Sequence, residues 1–230
     1  MMRDLLPPGV HVSESFGDPP DAVLLPEEEP AVARAVDKRR REYTTVRHLA
    51  RRALRCLGHG AAALPPGADR APRWPAGVVG ALTHCDGYRA AAVADAAVLA
   101  AVGIDAEPHE ALPEDTLGGV TLPEEREQLA QLGSLHPQFS WDRILFSAKE
   151  SVYKAWYPIT GAWLGFEQAV LTFDPAGSFR ARVLPEAVVP GGPVAFDGRW
   201  CVTRGFVTTA VVVTRPDATG STGPCGCGEV

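Results

Sequence analysis

The segment Leu99-Ala100-Ala101-Val102-Gly103-Ile104-Asp105-Ala106-Glu107 ends the strand-like apolar run 97–104 with two carboxylates two residues apart. Residues i and i+2 of a strand point to the same face, so Asp105 and Glu107 project together, and like charges at that spacing repel unless a cation or a base offsets them. Further along, Phe146-Ser147-Ala148-Lys149-Glu150-Ser151-Val152-Tyr153-Lys154 falls inside a helical pattern. Glu150 and Lys154 are four apart and share a helix face, with Lys149 one position round. Taken singly, an Asp-x-Glu is most often a solvated strand end and a Lys/Glu pair a helix-surface ion pair. Together they offer carboxylate oxygens for a hard divalent cation and ammonium groups for a polyanion, which a magnesium-dependent reaction at a phosphate requires.

Outward from these clusters, the pattern alternates. Residues 1–30 are rich in Pro and acid and predict an extended lead-in with one short strand at 10–14. Residues 31–57 predict a helix whose apolar stripe holds Val36, Tyr43, Val46, Ala50, Leu54 and Leu57, with Arg40, Arg47 and Arg51 along its edge. Strands follow at 78–82, 90–94 and 97–104, separated by Asp86-Gly87 and Asp95. Thr121-Leu122-Pro123-Glu124 reads as a capping box with Thr121 as N-cap of a helix to 132, and a stronger helix runs from Ser140 to Pro158. Strands return at 166–173, 179–184, 199–203 and 206–214. Helix then strands occurs twice, so we expect an α+β chain with an N-terminal half over 1–108, a C-terminal half over 109–214 and a disordered tail over 215–230.

At 230 residues and 46% hydrophobic content the chain can bury a full core as one large domain or two small ones. The net charge of −6 disfavours nonspecific binding to nucleic acid, yet residues 34–55 carry nine Arg or Lys against only Asp37 and Glu42. Such arginines suit an anion because guanidinium reads phosphate bidentately. The interleaved aromatics of single-stranded RNA readers are missing apart from Tyr43. There is no secretory pattern at the start and no run apolar enough to span a bilayer, and five unpatterned cysteines fit reduced thiols, so a cytoplasmic location is expected. Cys225-Gly226-Cys227 lacks the further ligands zinc needs, and no serine sits in a Gly-x-Ser-x-Gly elbow. His84, after the 78–82 strand, can be a packed neutral ring or a donor beside a phosphate.

In order and spacing, Gly103-Ile104-Asp105-Ala106-Glu107 and Phe146-Ser147-Ala148-Lys149-Glu150-Ser151-Val152-Tyr153-Lys154 resemble the paired signature of the 4'-phosphopantetheinyl transferases. Val78-Val79-Gly80-Ala81-Leu82-Thr83-His84-Cys85, Trp163-Leu164-Gly165-Phe166 and Leu5-Leu6-Pro7-Pro8-Gly9-Val10 resemble its enterobactin-synthase type in the actinobacterial form, over residues 4–214. The resemblance implies a pseudo-twofold α+β fold with coenzyme A and Mg²⁺, or Mn²⁺ in its place, between the halves. It implies that Asp105, Glu107 and Glu150 hold the metal, with the Ala106 carbonyl as a further contact. Arg39 and Arg47, with Arg40 or Arg51 as neighbours, would hold the 3'-phosphate. Thr83 and His84 would meet the coenzyme's phosphates, Lys149 and Lys154 would neutralise the pyrophosphate, and Leu164 would line the pantetheine end. Phe146 stands where many members have Trp, and the 65–69 loop lacks the lysine that relatives carry beside the adenine, leaving Arg70 or Arg73 to substitute.

The implied reaction moves 4'-phosphopantetheine from coenzyme A to a serine of an acyl or peptidyl carrier protein, with Glu150 as the candidate base. Siderophore, polyketide, nonribosomal peptide and fatty-acid carriers fit the resemblance alike, and a monomer is the implied state. Two other functions fit the same residues: a noncatalytic coenzyme A or nucleotide-binding module, and a magnesium phosphodiesterase acting on coenzyme A alone. Carriers present an acidic helix, so a basic or apolar patch is expected around residues 112–135.

Overall fold

The computed structural model describes residues 1–67 and 71–215, so Arg70, the 216–230 tail and Cys225 and Cys227 lie outside the described residues. Two antiparallel sheets, each backed by a 20-residue helix, make up the fold. The first sheet has the order β1 (His11–Ser15), β3 (Tyr88–Asp95), β2 (Val78–Cys85), and α1 (Asp37–Cys56) covers it. The second has the order β4 (Leu99–Pro108), β8 (Phe206–Thr214), β7 (Ala195–Thr203), β6 (Ser178–Val183), β5 (Ala169–Asp174), and α4 (Trp141–Thr160) lies on it. Two shorter helices, α2 (Glu114–Val120) and α3 (Pro123–Leu135), lie between β4 and α4, both within the second unit of sheet and helix. None of the described helices is long and apolar enough to cross a membrane.

The period-two alternation of β3 shows how the layers stack. Its small side chains are buried on both faces: Ala90, Ala92 and Ala94 join the core shared with β4, while Ala91 and Val93 pack under Leu49, Ala53 and Leu54 of α1. Strand β4 alternates in the same way. Val102, Ile104 and Ala106 enter that shared core, whereas Gly103 faces α4. Although β4 follows β3 in sequence, it is hydrogen-bonded to β8, with Asp105 opposite Thr209 and Glu107 opposite Val207. The last strand of the first helix-and-strand set therefore belongs to the sheet of the second.

Boundaries differ from the sequence reading where Pro or a cap intervenes. The first helix starts at Asp37 instead of 31, because Pro30 opens a separate 3₁₀ turn (Glu29–Val32), and Val36 is the extended N-cap, exposed rather than part of the buried stripe. In α3, Pro123 at the first helical position makes Leu122 the N-cap in place of Thr121. The carboxylate of Glu125, not Glu124, accepts the Leu122 N–H at 2.8 Å, and the Thr121 hydroxyl donates to Leu117 O. Helix α2 was not foreseen, since Gly118-Gly119 reads as loop. Helix α4 continues past Pro158 to a left-handed C-cap at Gly161, which takes φ 64° and donates to Tyr157 O at 2.8 Å. Residues 166–168 form a 3₁₀ turn, so β5 starts only at Ala169, while β7 starts earlier than expected, at Ala195.

One contact sets the distance between α4 and its sheet. A Cβ added to Gly103 would overlap the Ser151 carbonyl oxygen and lie 2.9 Å from the Ala155 nitrogen, so strand and helix backbones touch there. Close by, Ser147 and Thr209 hydroxyls meet at 3.0 Å, and Thr209 Oγ1 also donates to Ser147 O at 2.8 Å. Gly103→Ala is expected to cost about 1–3 kcal/mol, as overpacking of a closed core does, read as a lowered urea midpoint at unchanged slope. Wild-type stability would contradict the close approach.

Candidate active site

Strands β2 and β4 and helices α1 and α4 enclose a cavity of about 1050 Å³. Arg39, Arg47, Thr83, His84, Asp105, Glu107, Phe146, Glu150 and Lys154 all line it. The side chains predicted to act together from distant positions therefore share one space. The β4 pleat turns Asp105 and Glu107 to the face where Gly103 meets α4, and the four-residue spacing on that helix brings Glu150 and Lys154 to the same cavity.

Lys154 donates to Asp105 Oδ1 at 2.7 Å and to Ile104 O at 3.2 Å. Thr83 Oγ1 donates to the same Oδ1 at 3.1 Å and accepts the Ala106 N–H at 3.0 Å, joining the two sheets beneath the carboxylate. The other oxygen, Asp105 Oδ2, is buried without a hydrogen-bond partner. Burial, with the Asp105 charge, pushes the Glu107 carboxyl up to about 7, against the pull of Arg143. Burial also raises Glu150, which Lys154 partly offsets. For Lys154, burial opposes the charged form, but Asp105 and Glu150 hold its pKa above the ordinary lysine value. Among the described residues no three His, Cys, Asp or Glu side chains form a ready-made metal cluster.

The opposite end is basic. Arg47 is buried, with its guanidinium 3.6 Å over the Tyr43 ring and Nε donating to Leu64 O at 3.3 Å. Arg39 Nη1 meets His84 Nε2 at 2.6 Å. Arginine can only donate, so Nε2 is the acceptor and the ring proton sits on Nδ1, 3.4 Å from Glu42 Oε2. Burial and then Arg39 press the His84 pKa down to about 4, so the ring is neutral and accepts at Nε2, where a phosphate donor was one expectation.

Several expected residues stand elsewhere. Arg51 is not at the cavity: it forms a buried pair with Glu28 at 2.7 and 2.8 Å, and Glu28 also accepts the Leu64 N–H. Arg40 pairs with Glu29 outside the cavity. Lys149, one helix position away from Glu150, points to the other side, where its ammonium holds Glu125 Oε2 at 2.7 Å and Phe166 O at 2.6 Å. It lines a second cavity of about 230 Å³ with Val152, Trp163, Leu164 and Phe166, and this cavity shares Glu150 and Tyr153 with the first. Leu164 is thus beside the acidic end, and Arg73, the alternative to Arg70, lines the large cavity. The 112–135 surface exposes Glu114, Asp115, Glu124 and Glu127, so it is acidic and not basic, and of the basic or apolar patch expected there it shows Leu135 as an exposed apolar side chain. Sequence reasoning missed Arg143, which donates to Glu107 Oε2 at 3.1 Å, and missed Glu125 as the partner of Lys149. Both contacts are long-range and leave no spacing signal.

Residues 27–94 match the model of the 4'-phosphopantetheinyl transferase N-terminal domain, and residues 101–191 match that of the 4'-phosphopantetheinyl transferase superfamily. The two matches part just ahead of the acidic pair of β4. The 4'-phosphopantetheinyl transferase Svp of Streptomyces mobaraensis is 50% identical over 100% of this chain and 96% of its own length. Npt of Nocardia iowensis is 47% identical over 92% of this chain and 99% of its own, and PptT of Mycobacterium tuberculosis 47% over 87% and 91%. Agreement of this extent leaves one conclusion about kinship: the chain belongs to the 4'-phosphopantetheinyl transferase superfamily.

Proposed function

We propose that this transferase seats coenzyme A along the large cavity, diphosphate at the acidic end and 3'-phosphate at Arg39 and Arg47, and passes its phosphopantetheine to a carrier-protein serine. One observation carries the reading: a cavity in which Arg39 and Arg47 have no carboxylate ion pair among the described residues opens at the other end on three carboxylates and one lysine. Two neighbours on α1 are paired instead, Arg40 with Glu29 and Arg51 with Glu28.

The donor set fits a hard divalent cation. Among the described residues Asp105 Oδ2 is a buried carboxylate oxygen with no hydrogen-bond partner, and Glu107 and Glu150 add oxygen ligands of the kind a hard cation prefers. The Ala106 carbonyl is a further candidate, because its amide already turns toward Thr83 and a strand residue's N–H and C=O share a side. Magnesium, or manganese in its place, would supply charge neutralisation of the diphosphate and a template for it. The carrier serine Oγ attacks the β-phosphorus, its proton passes to Glu150, and the bond to 3',5'-ADP breaks with the electron pair leaving on that product. Glu150 suits the proton by position, since it lines both cavities and so stands where the diphosphate and the pantetheine arm would meet. Lys154 offsets charge on the transferred phosphate, and the second cavity, with Leu164 and Trp163, receives the pantetheine arm. Lys149 acts from a distance, fixing the wall of that cavity through Phe166 O. One chain carries all of these groups, which agrees with a monomer.

Incubation with coenzyme A, Mg²⁺ and an apo-carrier, read by mass spectrometry, tests the reaction. The carrier is expected to gain one phosphopantetheine. No gain would indicate a binding module, and 3',5'-ADP release without a carrier a phosphodiesterase. Asp105→Ala and Glu150→Ala are each expected to fold and to lose more than about a hundredfold in turnover. Near-normal rates at ordinary Mg²⁺ would contradict the assignment. Arg47→Ala is expected to raise the coenzyme A KM more than it lowers kcat, while Arg40→Ala leaves both close to wild type; a pure kcat loss for Arg47→Ala would move that residue into the chemical step.

A further inference from the structure

Asp105 and Glu107 share a strand face, yet different elements meet their charges. Lys154 takes Asp105, and Arg143, in the first turn of α4, takes Glu107 Oε2 at 3.1 Å. The rest of the Arg143 fork is held mainly by backbone, with Nε donating to Glu110 O at 3.0 Å and Nη2 to Ala111 O at 3.1 Å, while the exposed Glu110 carboxylate stands 3.9 Å from Nη2. A guanidinium is planar, so two fixed carbonyls set its plane and leave one edge for the carboxylate. The segment that supplies those carbonyls is itself clipped to the helix start: Leu112 N–H donates to Asp142 Oδ2 at 2.8 Å and Ser140 N–H to His109 Nε2 at 3.0 Å. Among the described residues Glu107 Oε1 takes no hydrogen bond, although Glu107 lines the large cavity.

We propose that Arg143 is a positioning residue for the transfer reaction: it grips one oxygen of Glu107 so that the other is held ready for the divalent cation at Asp105. This rests on the cation reading above and adds a residue that touches neither cation nor coenzyme. Without the grip, a flexible carboxylate next to a like charge would rotate away, and every binding event would have to order it again.

The test uses full-length wild type, Arg143→Met, Arg143→Gln and Asp142→Ala with coenzyme A present. Mn²⁺ affinity is read by electron paramagnetic resonance, beside the Mg²⁺ dependence of turnover and the melting temperature. Both Arg143 variants are expected to bind Mn²⁺ about tenfold or more weakly, to need correspondingly more Mg²⁺ for half-maximal rate, and to regain kcat at high Mg²⁺. Asp142→Ala opens one of the two clips while Arg143 keeps its contact with Glu107, and is expected to lower the melting temperature and to weaken Mn²⁺ binding less than either Arg143 variant. Unchanged Mn²⁺ affinity in a folded Arg143 variant overturns the inference, and so does an equal loss in Asp142→Ala, which would assign the effect to the clip. If Arg143→Met does not fold, Arg143→Gln, which keeps a donor for the backbone, decides by the same criterion. A wild type that binds no Mn²⁺ overturns both this inference and the cation reading, whereas wild-type binding with unaltered variants overturns the inference alone.

Discussion

The backbone contact between Gly103 and the Ser151–Ala155 turn of α4 is the constraint on which the rest depends. A glycine there lets strand and helix approach without an intervening side chain. Because β4 alternates faces, the same geometry that sets Gly103 against the helix carries Asp105 to Lys154, and Glu107 to Arg143. The Ser147 and Thr209 pair fixes the register from the β8 side. Any residue that widened this contact would move the carboxylates of the strand away from Glu150 and Lys154 together, so packing and chemistry cannot be separated at this point.

The cavity sorts charge as well as shape. On α1, the arginines that face carboxylates are tied down: Arg51 with Glu28 inside the core and Arg40 with Glu29 at the rim. Arg39 and Arg47 lean instead on groups that do not cancel their charge, an imidazole nitrogen and a tyrosine ring. At the acidic end the balance is reversed, with a lysine and an arginine meeting three carboxylates and one oxygen of Asp105 left bare. On the proposed reading, a ligand with separated phosphates and a cation at one of them would complete both ends, and a chain of net charge −6 could so hold a polyanion.

Much of this was legible in the sequence, for identifiable reasons. The order of helices and strands followed from periodicity, and the shared face of Asp105 and Glu107 from the strand period alone. The juxtaposition of Glu150 with that pair rested on the shared chemistry of the two clusters and on the family resemblance, since no local rule joins β4 to α4. Single-residue boundaries went astray where one proline or cap decided them, as at Val36 and Thr121. Lys149 shows the limit most plainly: next to Glu150 in sequence, it turns through one helix position into a different cavity, and its partner Glu125 comes from another helix. Likewise Arg51 reads as one of a line of arginines, and only the fold brings Glu28 to it. Long-range pairs of this sort leave no periodic trace in a single chain.

The central claim is that Asp105, Glu107 and Glu150 converge on one cation bound to the diphosphate of coenzyme A. A crystal structure of the protein with coenzyme A and Mn²⁺, phased to show the anomalous signal of manganese, tests it most directly. The account expects a single peak in contact with oxygens of all three carboxylates and of the diphosphate, with the 3'-phosphate at Arg39 and Arg47. A peak elsewhere, or coenzyme A bound with Glu150 turned out of the cavity, would contradict it.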